Sequence, residues 1–286
     1  MAPLANDILR EIADETLPAL AELYKKHVGW APHVLSLIHM GIRWKRSAKY
    51  RDCISFTSPN DSWERDGTIV VLFTNYCYNI FVFTLDEKCT NLREGLSRTN
   101  FIDYKNPQAT FFCVHEKHVS TVMTIFEEKE LNVDRTEAPY LMYALAAGKS
   151  EFSNEHPTGV YLRELDVESA AQIDSVWPYK YPGSQDYIAS LIESNGGYGV
   201  FLKNEDEMVA WAVKHCLGHI GMVQTRENEK KKGYGLLVTK ALAKEIVEEG
   251  QRPFATIYAQ NKASICMFEK LGFQKIGNCY FINQLT

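Results

Sequence analysis

The sequence predicts a mixed α/β (α+β) chain built of two domains, and three observations carry that expectation. Runs rich in β-branched and aromatic residues alternate with runs of helical spacing along the whole length. A polar stretch with Pro and Gly, residues 148–159 (GKSEFSNEHPTG), parts the chain near its middle and reads as a linker. In the second half a strand-like run, residues 219–225 (HIGMVQT), enters a charged turn (RENEKKK), then Gly-Tyr-Gly, then a helical run (LLVTKALAKEIVEEG) closed by Gly250 and Pro253. A length of 286 residues suits one large domain or two of ordinary size. The linker selects two, 1–150 and 157–286.

In the first half, residues 4–28 read as helix, because Leu4, Ile8, Ile12, Leu17, Leu20 and Leu23 recur at helical spacing between acidic residues. Pro18 is expected to split this run into two helices. Residues 33–44 read as a second helical stretch, followed by the turn-rich SPNDSWERDG. The run TIVVLFTNYCYNIFVFTLD is dense in β-formers and reads as one or two strands, with residues 76–79 as the turn between them. A short helix at 92–96, a strand at 109–114, a helix at 117–130 and an apolar segment at 139–147 complete a mixed α/β domain with no catalytic signature.

The second half is more regular. Strand 160–165 leads to Asp166, a capping residue for a helix at 168–176. Trp177-Pro178 ends it, residues 179–183 form a loop, and 184–193 form a second helix. Strands follow at 199–203 and 208–215, then a tight turn at Leu217-Gly218 and the strand 219–225. After the glycine loop and its helix come a strand at 254–259, a polar corner at Asn261, a short helix at 263–271, a stop at Gly272 and a final strand from Phe273.

Composition removes several function classes. Hydrophobic residues make up 45% and charged residues 23%, the balance of a globular protein rather than a disordered one. The net charge of −5 argues against a general nucleic-acid binder, and the three lysines at 230–232 are too short a cluster to change that. No apolar run approaches the ~20 residues of a membrane span, so no membrane partner is expected. The acidic, amphipathic first residues lack the character of a signal or transit peptide. Seven scattered cysteines without a CxxC are expected to be reduced thiols in the cytoplasm, with a mitochondrial location left open. No Cys/His pair has zinc-ligand spacing, so no metal is expected. His27, His33 and His39 stand six residues apart, and His115 and His118 flank a strand end; all five read as structural.

The glycine loop has the physics of an anion site. The first N–H groups of a helix lack internal partners, and the helix dipole adds partial positive charge there. Gly233 and Gly235 present no side chain to block approach, and Lys230, Lys231 and Lys232 add full charges, so a phosphate or pyrophosphate suits the place. The plainer reading is a connector beside a solvated basic face.

Two motifs in order, the strand followed by Lys230-x-x-Gly233-x-Gly235 and the closing Asn261…Leu271-Gly272-Phe273, resemble the GNAT superfamily of acyl-CoA-dependent N-acyltransferases. Its usual signature has Arg or Gln where this chain has Lys230. Segments VAW (209–211), LGHIGMVQT (217–225) and VWPYKYPGSQDYIASLIES look like the glycine N-acyltransferase-like, or FR47-like, branch, whose N-terminal domain has about the size of 1–150. The match is good over 157–286 and suggestive over 1–150. The resemblance implies a C-terminal GNAT fold with a mixed central sheet, and leaves a GNAT-like build open for the first domain.

The implied chemistry is direct attack of an amine on an acyl-CoA thioester in a ternary complex. It asks for a neutral amine, a stabilised oxyanion and a leaving thiolate. Carried over by position, the main chain of Val223, Gln224 and Thr225 lies along the coenzyme, with Val223 facing the thioester oxygen. Lys230, Lys231, Lys232, Gly233, Tyr234 and Gly235 meet its phosphates, and Asn261 and Phe268 border it. Lysine at 230 keeps the charge but loses the fork of arginine. The branch places a Glu after the Gly that opens this strand; here Gly218 is followed by His219. A histidine titrates near neutrality, so His219 is expected to be the base, with His215 as second choice and a partly exposed turn histidine as the alternative. The Tyr that often meets the thiolate is replaced by Phe268, which donates no proton. Trp177, Tyr179, Tyr181 and Tyr187 lie where the acceptor side is usually built, and would suit an apolar or aromatic substrate, with core packing as the plainer role. The expected acceptor is a small amine or amino acid such as glycine; acetyl-CoA and longer or aromatic acyl-CoA are both open as donors. The alternative is a catalytically weak CoA-binding or interaction protein. A protein acetyltransferase is permitted by the fold without positive support.

Overall fold

The computed structural model describes residues 6–135, 137–149, 152 and 157–285. Leu4 and residues 150, 151 and 153–156 of the expected linker lie outside the described residues. The first expected helix is replaced by a short strand β1 (Leu9–Glu11), a 3-10 turn and helix α1 (Leu17–Lys25). Pro18 opens α1 rather than splitting a helix, because the first turn has no use for the missing N–H. Helix α2 (Pro32–Arg46) follows as expected. Strand β2 (Ile54–Pro59) is new, and it is buried at every position. Its hydroxyls allow this, since Thr57 Oγ1 donates to Val70 O at 2.7 Å and Ser58 Oγ donates to Thr68 O at 2.7 Å.

The turn-rich stretch holds the single-turn helix α3 (Trp63–Asp66). Two strands, β3 (Ile69–Phe73) and β4 (Tyr78–Phe83), occupy the β-rich run. Helix α4 (Thr90–Arg98), strand β5 (Ala109–His115) and helix α5 (Val119–Glu128) fall at their expected places, followed by β6 (Val133–Arg135) and β7 (Tyr140–Leu145). The second half runs β8 (Val160–Glu164), α6 (Ser169–Val176), α7 (Ser184–Asn195), β9 (Gly197–Leu202), β10 (Met208–Lys214), β11 (Ile220–Thr225), α8 (Tyr234–Glu248), β12 (Phe254–Tyr258), α9 (Lys262–Lys270) and β13 (Phe273–Gln284). This is the expected order of elements. Asp166 Oδ1 accepts from Ser169 N at 3.0 Å at the start of α6.

By compactness the chain forms two units, and they do not follow chain order. Unit 1 takes the described parts of Met1–His27, Gly41–Leu141 and Gly277–Thr286; unit 2 takes Val28–Met40 and Met142–Ile276. The 148–159 stretch is a local turn signal, whereas membership of a sheet is decided by pairing far along the chain.

In unit 1 the strand order is β1-β2-β3-β4-β5-β13, with β6 also paired to β13. Neighbours are antiparallel except β4 and β5, which pair in parallel across the α4 crossover. The β3–β4 register is unbroken from Ile69↔Phe83 to Phe73↔Asn79. Alternate residues serve opposite faces. Val70, Leu72, Ile80 and Val82 join Leu92 and Leu96 of α4 and Val122 and Ile125 of α5 in one core. On the other face Phe73 meets Trp44 of α2 and Phe83 meets Tyr24 of α1, each ring pair edge to face. Both faces are therefore dry.

In unit 2 an antiparallel sheet, β11-β10-β9-β8, stands beside the order β12-β7-β13. Among the described residues no ladder joins β11 to β12. Helix α8 covers β9, β10 and β11 with a buried stripe of Tyr234, Leu237, Val238, Leu242 and Ile246. Its C-terminal turn is anchored by Lys214 of β10, a lysine only 1% exposed, whose Nζ donates to Glu245 Oε1 at 2.8 Å and Glu249 Oε1 at 2.7 Å. No helix among the described residues is long and apolar enough to cross a membrane.

Candidate functional site

Strand β11 is the outer strand of its sheet, and residues 221–225 are half-buried. Its pairing with β10 slips: Trp211 faces Gln224 but Val213 faces Gly221, so β11 carries one extra residue. Met222 takes up the surplus with φ of +50, in the left-handed region that a methionine rarely adopts. Such a bulge leaves its extra residue unpaired and bends the strand. Val223, Gln224 and Thr225 follow it, on the side of β11 that β12 leaves unpaired.

The chain then passes through a 3-10 turn, Glu227–Glu229, into the glycine loop. Lys231 and Gly233 both have positive φ, +65 and +85, and one more residue reaches Tyr234, the first of α8. Left-handed residues next to a helix start gather backbone N–H groups toward one point. No side chain caps α8, and a Cβ on Gly233 would meet no atom within 4 Å. Gly235 serves a different purpose: a Cβ there would lie 3.1 Å from Thr225 Oγ1 and 3.5 Å from Met267 Sδ, so its absence lets the helix start sit close against β11 and α9. Lys230 pairs with Glu227 at 2.5 Å and Lys232 with Glu229 at 2.9 Å. The Glu229 hydrogen bond raises the Lys232 ammonium above its ordinary range. Both lysines are exposed, so these pairs exchange readily for a stronger anion.

Asn261 and Phe268 have evident work in the fold. Asn261 Oδ1 accepts from Ser264 N at 3.1 Å and caps α9. Phe268 is buried edge-on against Phe273 at 5.0 Å.

The structure corrects the expectation for His219. It is neither a turn residue open to solvent nor a group that titrates near neutrality. It is 4% exposed, and burial, then the neighbouring imidazoles of His215 and His33, push its pKa well below the ordinary value. Burial alone pushes His215 down to about 4. The two rings lie 4.8 Å apart; His219 faces Phe254 at 5.3 Å and His215 faces Tyr187 at 5.8 Å. His33, read from the sequence as structural, enters this group from α2 across 6.2 Å to Phe254. Nothing in its spacing could have shown this, because the contact is non-local. Lys214 and the bulge at Met222 were also missed: neither a lysine ending a strand nor a methionine within one announces its role.

Among the described residues no group of three or more His, Cys, Asp or Glu side chains is placed to hold a metal ion.

Comparison with known proteins bears on the fold. Residues 197–282 match the family model described as FR47-like protein, and residues 8–125 match a domain of unknown function, DUF5645. No curated protein matches the chain. A Drosophila protein solved by X-ray crystallography superposes with a TM-score of 0.86 at 22% identity, over 98% of this chain and 99% of its own. A GCN5-related N-acetyltransferase from Sphaerobacter thermophilus gives 0.55 at 10% identity, over 99% and 97%. A tandem GNAT protein from the clavulanic acid biosynthesis pathway gives 0.53 at 12% identity, over 99% and 97%. These likenesses are of fold.

Proposed function

The chain has the GNAT fold, with an FR47-like segment over 197–282 and a second, GNAT-like unit, and from this premise we propose that it is an acyl-CoA-dependent N-acyltransferase acting on the amine of a small molecule or an amino acid such as glycine. The observation that carries the reading is the bulged, unpaired edge of β11 running into an uncapped helix start. The residues present suit an extended phosphorylated thioester. The amides of 231–235, with Lys230, Lys231 and Lys232, hold phosphate oxygens. The open backbone of Val223, Gln224 and Thr225 pairs with the amides of the donor's arm, and the main chain at Val223 polarises the acyl carbonyl. When bound, acyl-CoA supplies the activated acyl group and the leaving thiolate. His219 and His215 remain neutral and offer hydrogen-bonding nitrogens rather than strong bases. The seven unbridged cysteines suit a cytoplasmic setting.

Phe268 favours a second reading, a CoA-binding protein with slow turnover, since a buried phenyl ring gives the thiolate no proton. Calorimetry with acetyl-CoA and a longer or aromatic acyl-CoA is the test. Micromolar binding, about −8 kcal/mol, is expected, weakened at least about a hundredfold by Gly233→Asp, which sets a carboxylate where phosphate belongs. The absence of any acyl-CoA binding by folded wild-type protein would remove the reading. Thiol release on adding an amine separates enzyme from binder.

A further inference from the structure

The turn that enters the glycine loop carries acids as well as bases. Across residues 227–232 (ENEKKK) three lysines meet two glutamates, so the stretch has a single net positive charge. Each glutamate lies against a lysine: Glu227 Oε2 is 2.5 Å from Lys230 Nζ, and Glu229 Oε2 is 2.9 Å from Lys232 Nζ. Lys231, in the left-handed conformation, forms no ion pair among the described residues. A loop built only for affinity would omit these carboxylates, since each repels a phosphate drawn to its lysine. Stability does not explain them either, because exposed pairs of this kind contribute little to a fold.

The two pairs are not equivalent. The Glu229 side chain is 12% exposed, whereas that of its partner Lys232 is 51% exposed and that of Glu227 is 88% exposed. The turn that carries Glu229 is tied to the sheet. Arg226 N donates to Val209 O of β10 at 2.9 Å, the Arg226 guanidinium pairs with Glu207, and Glu229 N donates to Arg226 O at 2.9 Å. The Glu229 carboxylate is therefore the seated member of its pair and the Lys232 ammonium the movable one. A lysine on its flexible four-carbon stem can leave such a partner and return to it without any movement of the loop.

We propose that Glu229 is an exchange anion for the coenzyme, with Glu227 in a lesser part. It holds Lys232 while the donor's diphosphate is away, yields it as acyl-CoA binds, and takes it back as free CoA leaves. The inference rests on the acyltransferase reading and adds a control over its release step. Each lysine changes one anion for another, so breaking a phosphate contact leaves no bare cation behind. Departure of a multiply charged product is eased, and product release is the step that limits many turnovers.

The test is stopped-flow and calorimetric binding of CoA and acetyl-CoA to the full-length protein. Glu229→Gln should tighten CoA about fivefold, the worth of one close charge in water, and most of the gain should appear as slower release. Glu227→Gln should gain about twofold or less, since its carboxylate is almost wholly in solvent. The Glu229→Gln gain should shrink between about 0.05 and 0.5 M salt as screening removes the repulsion, a response that loss of a merely structural contact would not show. Glu229→Asp, which keeps the charge, should stay within about twofold of wild type. If wild type binds CoA but Glu229→Gln binds it no more tightly at low salt, or gains equally at both salt concentrations, the inference is overturned and the acyltransferase reading stands. If wild type binds no acyl-CoA, the reading itself falls and takes the inference with it.

Discussion

In unit 1 strand β4 enters α4 through residues 84–89; in unit 2 strand β11 enters α8 through residues 226–233. The two steps have the same order of elements and opposite finish. β4 pairs with the strand that follows the helix, in parallel, from Tyr78↔Ala109 to Ile80↔Phe111, whereas β11 and β12 share no ladder. The β3–β4 register is regular, while β10–β11 is broken by the bulge at Met222. The start of α4 is already filled: Asp86 Oδ2 accepts from Thr90 N at 2.9 Å and Oδ1 from Lys88 N at 3.0 Å, and these bonds hold its carboxyl below the usual range. The start of α8 has lysines and glycines in place of that carboxylate. The same order of elements thus ends in a helix start filled by a carboxylate in unit 1 and in an uncapped one beside unpaired strands in unit 2, which is where the anion site is proposed.

The largest effect tests what the two units have in common, buried neutral imidazoles. Burial pushes His115 down to about 4 and His118 to about 3 in unit 1, and His215 to about 4 in unit 2. The unfolded chain protonates these rings near 6.5, so their stability contribution is intact above about pH 6.5 and drains away as pH falls toward 4. The expected loss is about 2 kcal/mol per ring at pH 5, read from urea midpoints across pH. A flat profile between pH 7 and 5 would show that the rings are not held neutral.

A smaller effect is confined to unit 2. Lys214→Ala removes the cation between Glu245 and Glu249 and should cost about 2–3 kcal/mol, less than for a fully buried pair because both carboxylates reach solvent at 27% and 28% exposure. Lys214→Met, which keeps the apolar stem, should recover part of it in the same denaturation assay. The smallest effect sharpens the contrast most. Asp86→Ala should cost about 1 kcal/mol, as for a lost helix cap, and the cost should vanish in acid where the carboxylate is protonated. Acyl-CoA affinity measured by calorimetry should not change; a weakened affinity would mean that unit 1 takes part in binding.

Much of unit 2 was legible because its signals are local. The strand runs, Asp166, the Gly233-x-Gly235 loop and the polar corner at Asn261 all act within a few residues. Unit 1 was read less well for equally physical reasons. Ile8 and Ile12 satisfy helical spacing, and a three-residue strand is too short to show any period. β2 has a turn-like composition, and only its hydrogen bonds to the carbonyls of Thr68 and Val70 make Ser58 and Thr57 fit to bury. Within the site, the glycine loop was visible and the environment of His219 was not. Its burial depends on Phe254 and His33, which are distant in sequence.

The place of β13 in unit 1 bears on how the chain is born. β5 needs residues 279–283 as its antiparallel neighbour, and these leave the ribosome roughly 160 residues after it. At ordinary rates of synthesis, β5 waits roughly 8–30 s with one edge bare. A nascent first domain would normally close as soon as it emerges, but this one cannot. Until β13 arrives the edge of β5 stays unpaired, and a chain released before residue 277 would keep an open edge that invites aggregation.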